Sequence, residues 1–151
     1  MLMYTTTVAW SGGHTGHLTC GNGHEAAFSA PPALQGMAGV LTPEDAFVAA
    51  VNTCFQMMFL WAAERFKLGL VSYRCVAEGY VKEFLDQTST FERVVLHPEI
   101  VVTAADERRV RLALQAARRY SLIAESVKSE IVVEPTIVIQ TVSGERAQHG
   151  A

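Results

Sequence analysis

The hydrophobic pattern changes period several times along the chain, and each change marks an element. Tyr4 to Trp10 is rich in Thr, Val and aromatic residues and predicts a strand. Ser11-Gly-Gly turns it, and Gly16 to Cys20 returns. Gly21-Asn-Gly23 turns the chain again, because Asn and Gly accept positive φ. His24 to Ser29 is a third short strand, and Ala30 to Gly39 is a Pro/Gly loop.

The pattern then becomes continuously apolar. Thr42 can cap a helix, Pro43 suits its first position, and Asp45 completes a Thr-x-x-Asp start. The helix is expected to run from Pro43 to Leu68, about 39 Å, with Gly69 as its stop. Phe47, Val51, Phe55, Met57, Phe59 and Trp61 fall on nearly every side, which predicts burial all round. Asn52, Thr53, Cys54 and Gln56 are the few polar interruptions.

Val71 to Phe84 alternates with period two, placing Val71, Tyr73, Cys75, Ala77 and Val81 on one face. After the turn Asp86 to Thr90, Phe91 to Thr103 alternates as well, with Val94, Leu96, Ile100 and Val102 inward. Thr103-Ala-Ala-Asp106 is a second helix start, followed by a stripe of Val110, Leu114, Ala117 and Ser121. That helix continues or breaks between Tyr120 and Glu130. Ile131 to Val142 is a last strand in which Pro135 requires an edge or a bulge, and Ser143 to Ala151 is a frayed tail. Three strands, a long helix, two strands, a helix and a strand, with no regular βαβ alternation, make an α+β fold in a single domain, 1–151.

Composition sharpens this picture. A chain of 151 residues that is 50% hydrophobic and only 18% charged has apolar surface to hide, and a homo-oligomer hides it. A net charge of -3 gives no footprint for nucleic acid. The longest unbroken apolar run of the central helix, Met57 to Ala63, falls short of the roughly 20 residues that span a bilayer, so no membrane association is expected. Three cysteines without an export signal read as free thiols in the cytoplasm.

Trp10-Ser-Gly-Gly-His14-Thr-Gly16, the Pro-Pro loop, and Thr42-Pro-Glu-Asp followed by Asn-Thr-Cys54-Phe-Gln-Met resemble the OsmC/Ohr family of osmotically inducible and organic hydroperoxide resistance proteins. The resemblance covers residues 4 to 142. It implies an intertwined homodimer with a long helix at the centre and sheets wrapped around it. It also implies an interface site where a helix cysteine attacks an organic hydroperoxide, with no cofactor. In the family a second cysteine resolves the sulfenic acid, a dithiol recycles the pair, and an arginine and a glutamate hold the thiolate.

Carried over by position, Cys54 matches the peroxidatic cysteine and Glu44 the glutamate. His14 stands where the family has arginine, and Ser121 where it has the resolving cysteine. A one-cysteine enzyme recharged by an external thiol is therefore expected. The alternative is a family member without peroxidase chemistry that binds a small hydrophobic molecule at the dimer interface. Glu44 and Cys54 are ten positions apart, about 15 Å along one helix, so any cooperation runs through a partner's copy or a bend. Arg65, Arg74 and Arg119 are candidate replacement cations for Cys54, Cys20 is a candidate non-standard resolving thiol, and Cys75 reads as core. His14, His17, Cys20 and His24 have zinc-ligand chemistry, but hairpin alternation separates their faces, and no metal is expected.

Overall fold

The computed structural model describes residues 1–141; the expected tail and Val142 lie outside them. The architecture is α+β, and the chain divides into two compact units, Met1–Phe47 and Val48 onward.

The first unit is a three-stranded antiparallel sheet in the order β1 (Thr6–Gly12), β2 (Thr15–Cys20), β3 (Glu25–Ser29). Both expected turns are present. Gly12 and Gly13 have φ of 104° and 54°, which glycine alone adopts without strain, and they make the first corner. Gly16 is buried where a Cβ would meet the Phe28 ring at 2.3 Å, so glycine is also needed for packing. β1 itself is exposed on both faces, with Val8 and Trp10 open to solvent.

α1 (Pro43–Arg65) begins as expected: Thr42 Oγ1 accepts from the Asp45 N–H at 3.1 Å and donates to Asp45 Oδ2 at 2.9 Å. It ends three residues early. Lys67 takes the left-handed conformation (φ 53°), Lys67 N donates to Glu64 O and Leu68 N to Ala63 O, a closure usually built on glycine. The Arg109 guanidinium then binds Phe66 O and Lys67 O, satisfying carbonyls that the helix end leaves free.

The second unit holds β4 (Leu70–Glu83), β5 (Ser89–Val102), α2 (Glu107–Tyr120), α3 (Leu122–Ser126), β6 (Glu130–Val133) and β7 (Thr136–Ile139). β4 and β5 form a long antiparallel hairpin. β6 and β7 both run parallel to β5 along its other side, so this sheet is mixed. Pro135 splits the last strand, and by register it lies opposite Pro98 of β5, so two residues without an N–H share one gap in the ladder.

Val94, Leu96, Ile100 and Val102 are buried, as the alternation predicts, together with Val110, Leu114 and Ala117 of α2. α2 is capped by Asp106, which accepts from Arg109 N, rather than by Thr103. From α1 only the stripe Val51, Phe55, Phe59, Ala62 and Ala63 is covered. Gly79 of β4 permits that approach: a Cβ there would lie 2.6 Å from Val48 Cγ2. Burial all round is thus corrected to burial on one face. Met57 and Trp61 face outward, because one chain supplies only enough sheet to cover one side of an apolar helix. By length and composition α1 could also cross a membrane. Its buried stripe and an Asn52 bond to β4 make it the core helix of this unit instead.

Candidate functional site

Cys54 lies in the second unit at the twelfth residue of α1, too far from the N-terminus for the helix dipole to favour its thiolate. It is a free, half-buried thiol, and no described residue hydrogen-bonds its sulfur. At about 100° per residue it stands beside the covered stripe, on the flank that continues through Met58 and Trp61 to Arg65. The neighbouring Val51 and Phe55 are fully buried. A thiol here faces apolar surface on one side and an open flank on the other.

The candidate cations sit elsewhere in their own contacts. Arg74 pairs with Glu99 across the hairpin at 3.5 Å. Arg119 lies over the Tyr120 ring at 5.5 Å. Arg65 is eleven residues, about 16 Å, along the helix from Cys54.

Glu44 and His14 belong to the first unit. Glu44 is exposed in the first turn of α1, where any carboxylate complements the dipole, while capping falls to Thr42 and Asp45. His14 is exposed in the β1–β2 turn, and its carbonyl accepts from Ala30 N at 3.0 Å. Within that turn Trp10 Nε1 donates to Gly13 O and Thr15 Oγ1 to Gly12 O, so the backbone that presents His14 is held from both sides. The zinc-type hairpin does not assemble: among the described residues no three His, Cys, Asp or Glu side chains converge, and His17 faces Glu25 at 3.7 Å.

Cys20 is half-buried at the end of β2. Cys75 is only half-buried, a partial correction to its reading as core. Its thiol donates to Val76 O at 3.7 Å, and burial pushes its pKa up. The neighbouring Tyr73 stacks on Phe59 at 5.2 Å, and burial likewise raises its phenol. Among the described residues its hydroxyl has no hydrogen-bond partner.

Ser121 is fully buried, as a residue on the inner stripe should be. Its Oγ accepts from Ala124 N at 3.4 Å and caps α3, a use of serine that the sequence reading did not identify.

Two further features escaped the sequence. A groove of about 770 Å³ runs between α1 and α2, walled by Met58, Trp61, Phe66, Leu112 and Tyr120, with Arg65 and Arg119 at its side. The exposed aromatics Trp61 and Tyr120 were the available signal. On the sheet, His97 bridges Glu78 at 2.5 Å and Glu134 at 3.5 Å, and Tyr80 donates to Glu78 at 2.8 Å. No single-strand pattern reveals that cluster, because it depends on how β4, β5 and the β6–β7 junction come together.

No curated protein matches the chain. Solved structures do. An OsmC-like protein of unknown function from Vibrio cholerae superposes with TM-score 0.82 at 23% identity, covering 90% of this chain and 100% of the other. An organic hydroperoxide resistance protein from Elizabethkingia anophelis gives 0.72 at 19%, over 93% and 98%. The organic hydroperoxide resistance protein OhrB of Bacillus subtilis gives 0.61 at 15%, over 92% and 98%. At these identities the likeness is one of fold. The OsmC-like protein family model matches residues 36–136, which contain the whole of α1 and α2, and the chain belongs to that family.

Proposed function

We propose that the protein is a thiol peroxidase that reduces organic hydroperoxides through Cys54. The observation that carries this reading is the placement of a free, half-buried cysteine on the open apolar flank of α1, within the family's helix motif. An apolar flank favours a peroxide with an organic body over hydrogen peroxide. The Cys54 thiolate attacks the distal peroxide oxygen, the O–O bond breaks, and the alkoxide takes a proton and leaves as the alcohol. The sulfenic acid that remains condenses with an external thiol, releasing water and forming a mixed disulfide. A second equivalent of thiol frees Cys54 and carries away the disulfide.

Ser121 cannot take the resolving role, so the cycle uses one protein cysteine. The working unit is a homodimer, supported by the uncovered Met57 side of α1 and by a β1 strand exposed on both faces. Glu44 and His14 complete the site from the partner's copy, His14 acting as cation when protonated. A reducing cytoplasm suits three free thiols and supplies the external reductant.

The test is oxidation of Cys54 by cumene hydroperoxide and by hydrogen peroxide, followed by trapping and mapping of the sulfenic acid. Cys20 and Cys75 serve as internal controls. Selective oxidation of Cys54 that is faster with the bulky peroxide supports the reading; oxidation no faster than Cys20 removes it. The second reading, a family member that binds a small hydrophobic molecule without redox chemistry, is favoured by one observation: no described residue hydrogen-bonds the Cys54 thiol.

A further inference from the structure

Gly79 of β4 faces α1, so its neighbours Glu78 and Tyr80 point to the opposite side of the sheet. There they meet His97 of β5, the centre of a charged cluster that the Cys54 chemistry does not use. His97 Nε2 lies 2.5 Å from Glu78 Oε1, and its Nδ1 faces Glu134 Oε2 at 3.5 Å. Tyr80 donates to the other Glu78 oxygen at 2.8 Å, and the Arg93 guanidinium lies over the Tyr80 ring at 4.4 Å. Hydrogen bonds from Tyr80 and then His97 hold the Glu78 carboxyl below the ordinary carboxylate range. The remaining charges beside the ring, Arg74 and Glu99, pair with each other at 3.5 Å.

The cluster lies where the backbone ladder is interrupted. Glu134 N donates to Leu96 O at 2.8 Å. A parallel ladder would return the next bond from residue 98 to the Glu134 carbonyl, but Pro98 has no N–H. The side-chain link from His97 to Glu134 spans that gap, and its chemistry depends on one proton. Ionised Glu78 and Glu134 only accept, and a neutral imidazole has a single N–H for the two of them. The shorter contact places that hydrogen on Nε2, toward Glu78. Nδ1 then turns a lone pair to the Glu134 carboxylate. An imidazolium, protonated on both nitrogens, attracts both.

We propose that His97 is a proton-dependent clasp on the sheet margin. Protonated, it holds Glu134 across the Pro98 gap. Deprotonated, it keeps Glu78 and releases Glu134, and the β6–β7 junction loosens. Imidazoles change charge between about pH 5 and pH 8, so the clasp is closed in mild acid and open in mild alkali. All three side chains are partly exposed, and exposed pairs are individually weak, so the effect is local. Cys54 takes no part, and the clasp stands independently of the peroxidase reading.

Hydrogen exchange read by mass spectrometry on the full chain tests it, at about pH 6 and about pH 8.5 with labelling times scaled for intrinsic exchange. Peptides covering β6 and β7 should lose roughly two- to fivefold in protection at the higher pH, the size of one exposed pair. Added salt should lower their protection at the lower pH only. His97→Gln and the exposed Glu134→Gln should show the weaker protection at both values, while Glu99→Gln keeps the wild-type response. Nitrogen spectra of the ring at the higher pH should show hydrogen on Nε2. Protection that ignores pH in the wild type, an equal pH response in His97→Gln, or an equal loss across the β4–β5 hairpin would overturn the proposal. So would a neutral ring protonated on Nδ1.

Discussion

The Asn52 side-chain amide donates to the backbone carbonyl of Cys75 at 3.1 Å, fixing which side of α1 faces β4. Cys54 is two residues further on and about 200° around the helix from Asn52. The bond therefore anchors one cysteine's strand on the side of the helix away from the other cysteine. Replacing Asn52 with Ala leaves the Cys75 carbonyl without this donor and should cost about 1–2 kcal/mol. Urea denaturation with an unchanged m-value would check this.

The same geometry bears on the thiols. Cys75 should not resolve oxidised Cys54 within a chain, so Cys75→Ser should leave the rate and yield of Cys54 sulfenic acid unchanged. Because burial raises the Cys75 pKa, its thiolate fraction at neutral pH is below that of an ordinary cysteine. Alkylation by iodoacetamide, followed by mass spectrometry between pH 7 and pH 9, should label Cys75 more slowly than a free thiol. Rapid labelling would show that the β4 face opens in solution.

Arg109 ties the start of α2 to the end of α1 through Phe66 O and Lys67 O, and its guanidinium also bonds Ala104 O just ahead of α2. Charge-assisted bonds of this kind contribute more than neutral ones. Arg109→Met keeps the stem and removes the donors, and is expected to lower stability by about 1–3 kcal/mol. The neighbouring Arg108→Met, which makes none of these bonds, is the control and should change little.

Ser121→Ala removes the α3 cap and should cost about 1 kcal/mol. Thermal unfolding of the two proteins measures it. A neutral result would mean that α3 is held by packing alone.

Glu78 is held below the ordinary carboxylate range by hydrogen bonds from Tyr80 and then His97. A carboxylate with a depressed folded pKa stabilises fully above its ordinary titration near pH 4.5, and that contribution fades as pH falls through the lower folded value. Wild type and Glu78→Gln should therefore differ in stability at neutral pH and converge in acid. Parallel curves down to pH 2 would show that Glu78 contributes nothing through its charge.

The local signals in the chain were strong enough to place most elements. Thr42-Pro-Glu-Asp marks the start of α1, the alternation of Val94 to Val102 marks a buried strand, and Gly12-Gly13 marks the first corner; each is a short-range choice of backbone. The helix end was misplaced because Lys67, a residue with no preference for positive φ, is held there by Arg109 forty-two positions away. Residue chemistry does not encode which strand β6 and β7 join, so their parallel pairing was not legible. Cys54 could be singled out by motif, whereas the groove was not, because it exists only where α1 and α2 meet. Ser121 looked like the loss of a thiol until its neighbour's amide gave it a second purpose.

The facing prolines of β5 and the β6–β7 junction also affect how this molecule tolerates crowding. The outer margin of the sheet is divided into two four-residue pieces, with Pro135 between them. An incoming strand from another molecule could pair over only a few residues before meeting a position that has no N–H to give. The interruption makes this margin a poor template for strand-by-strand growth.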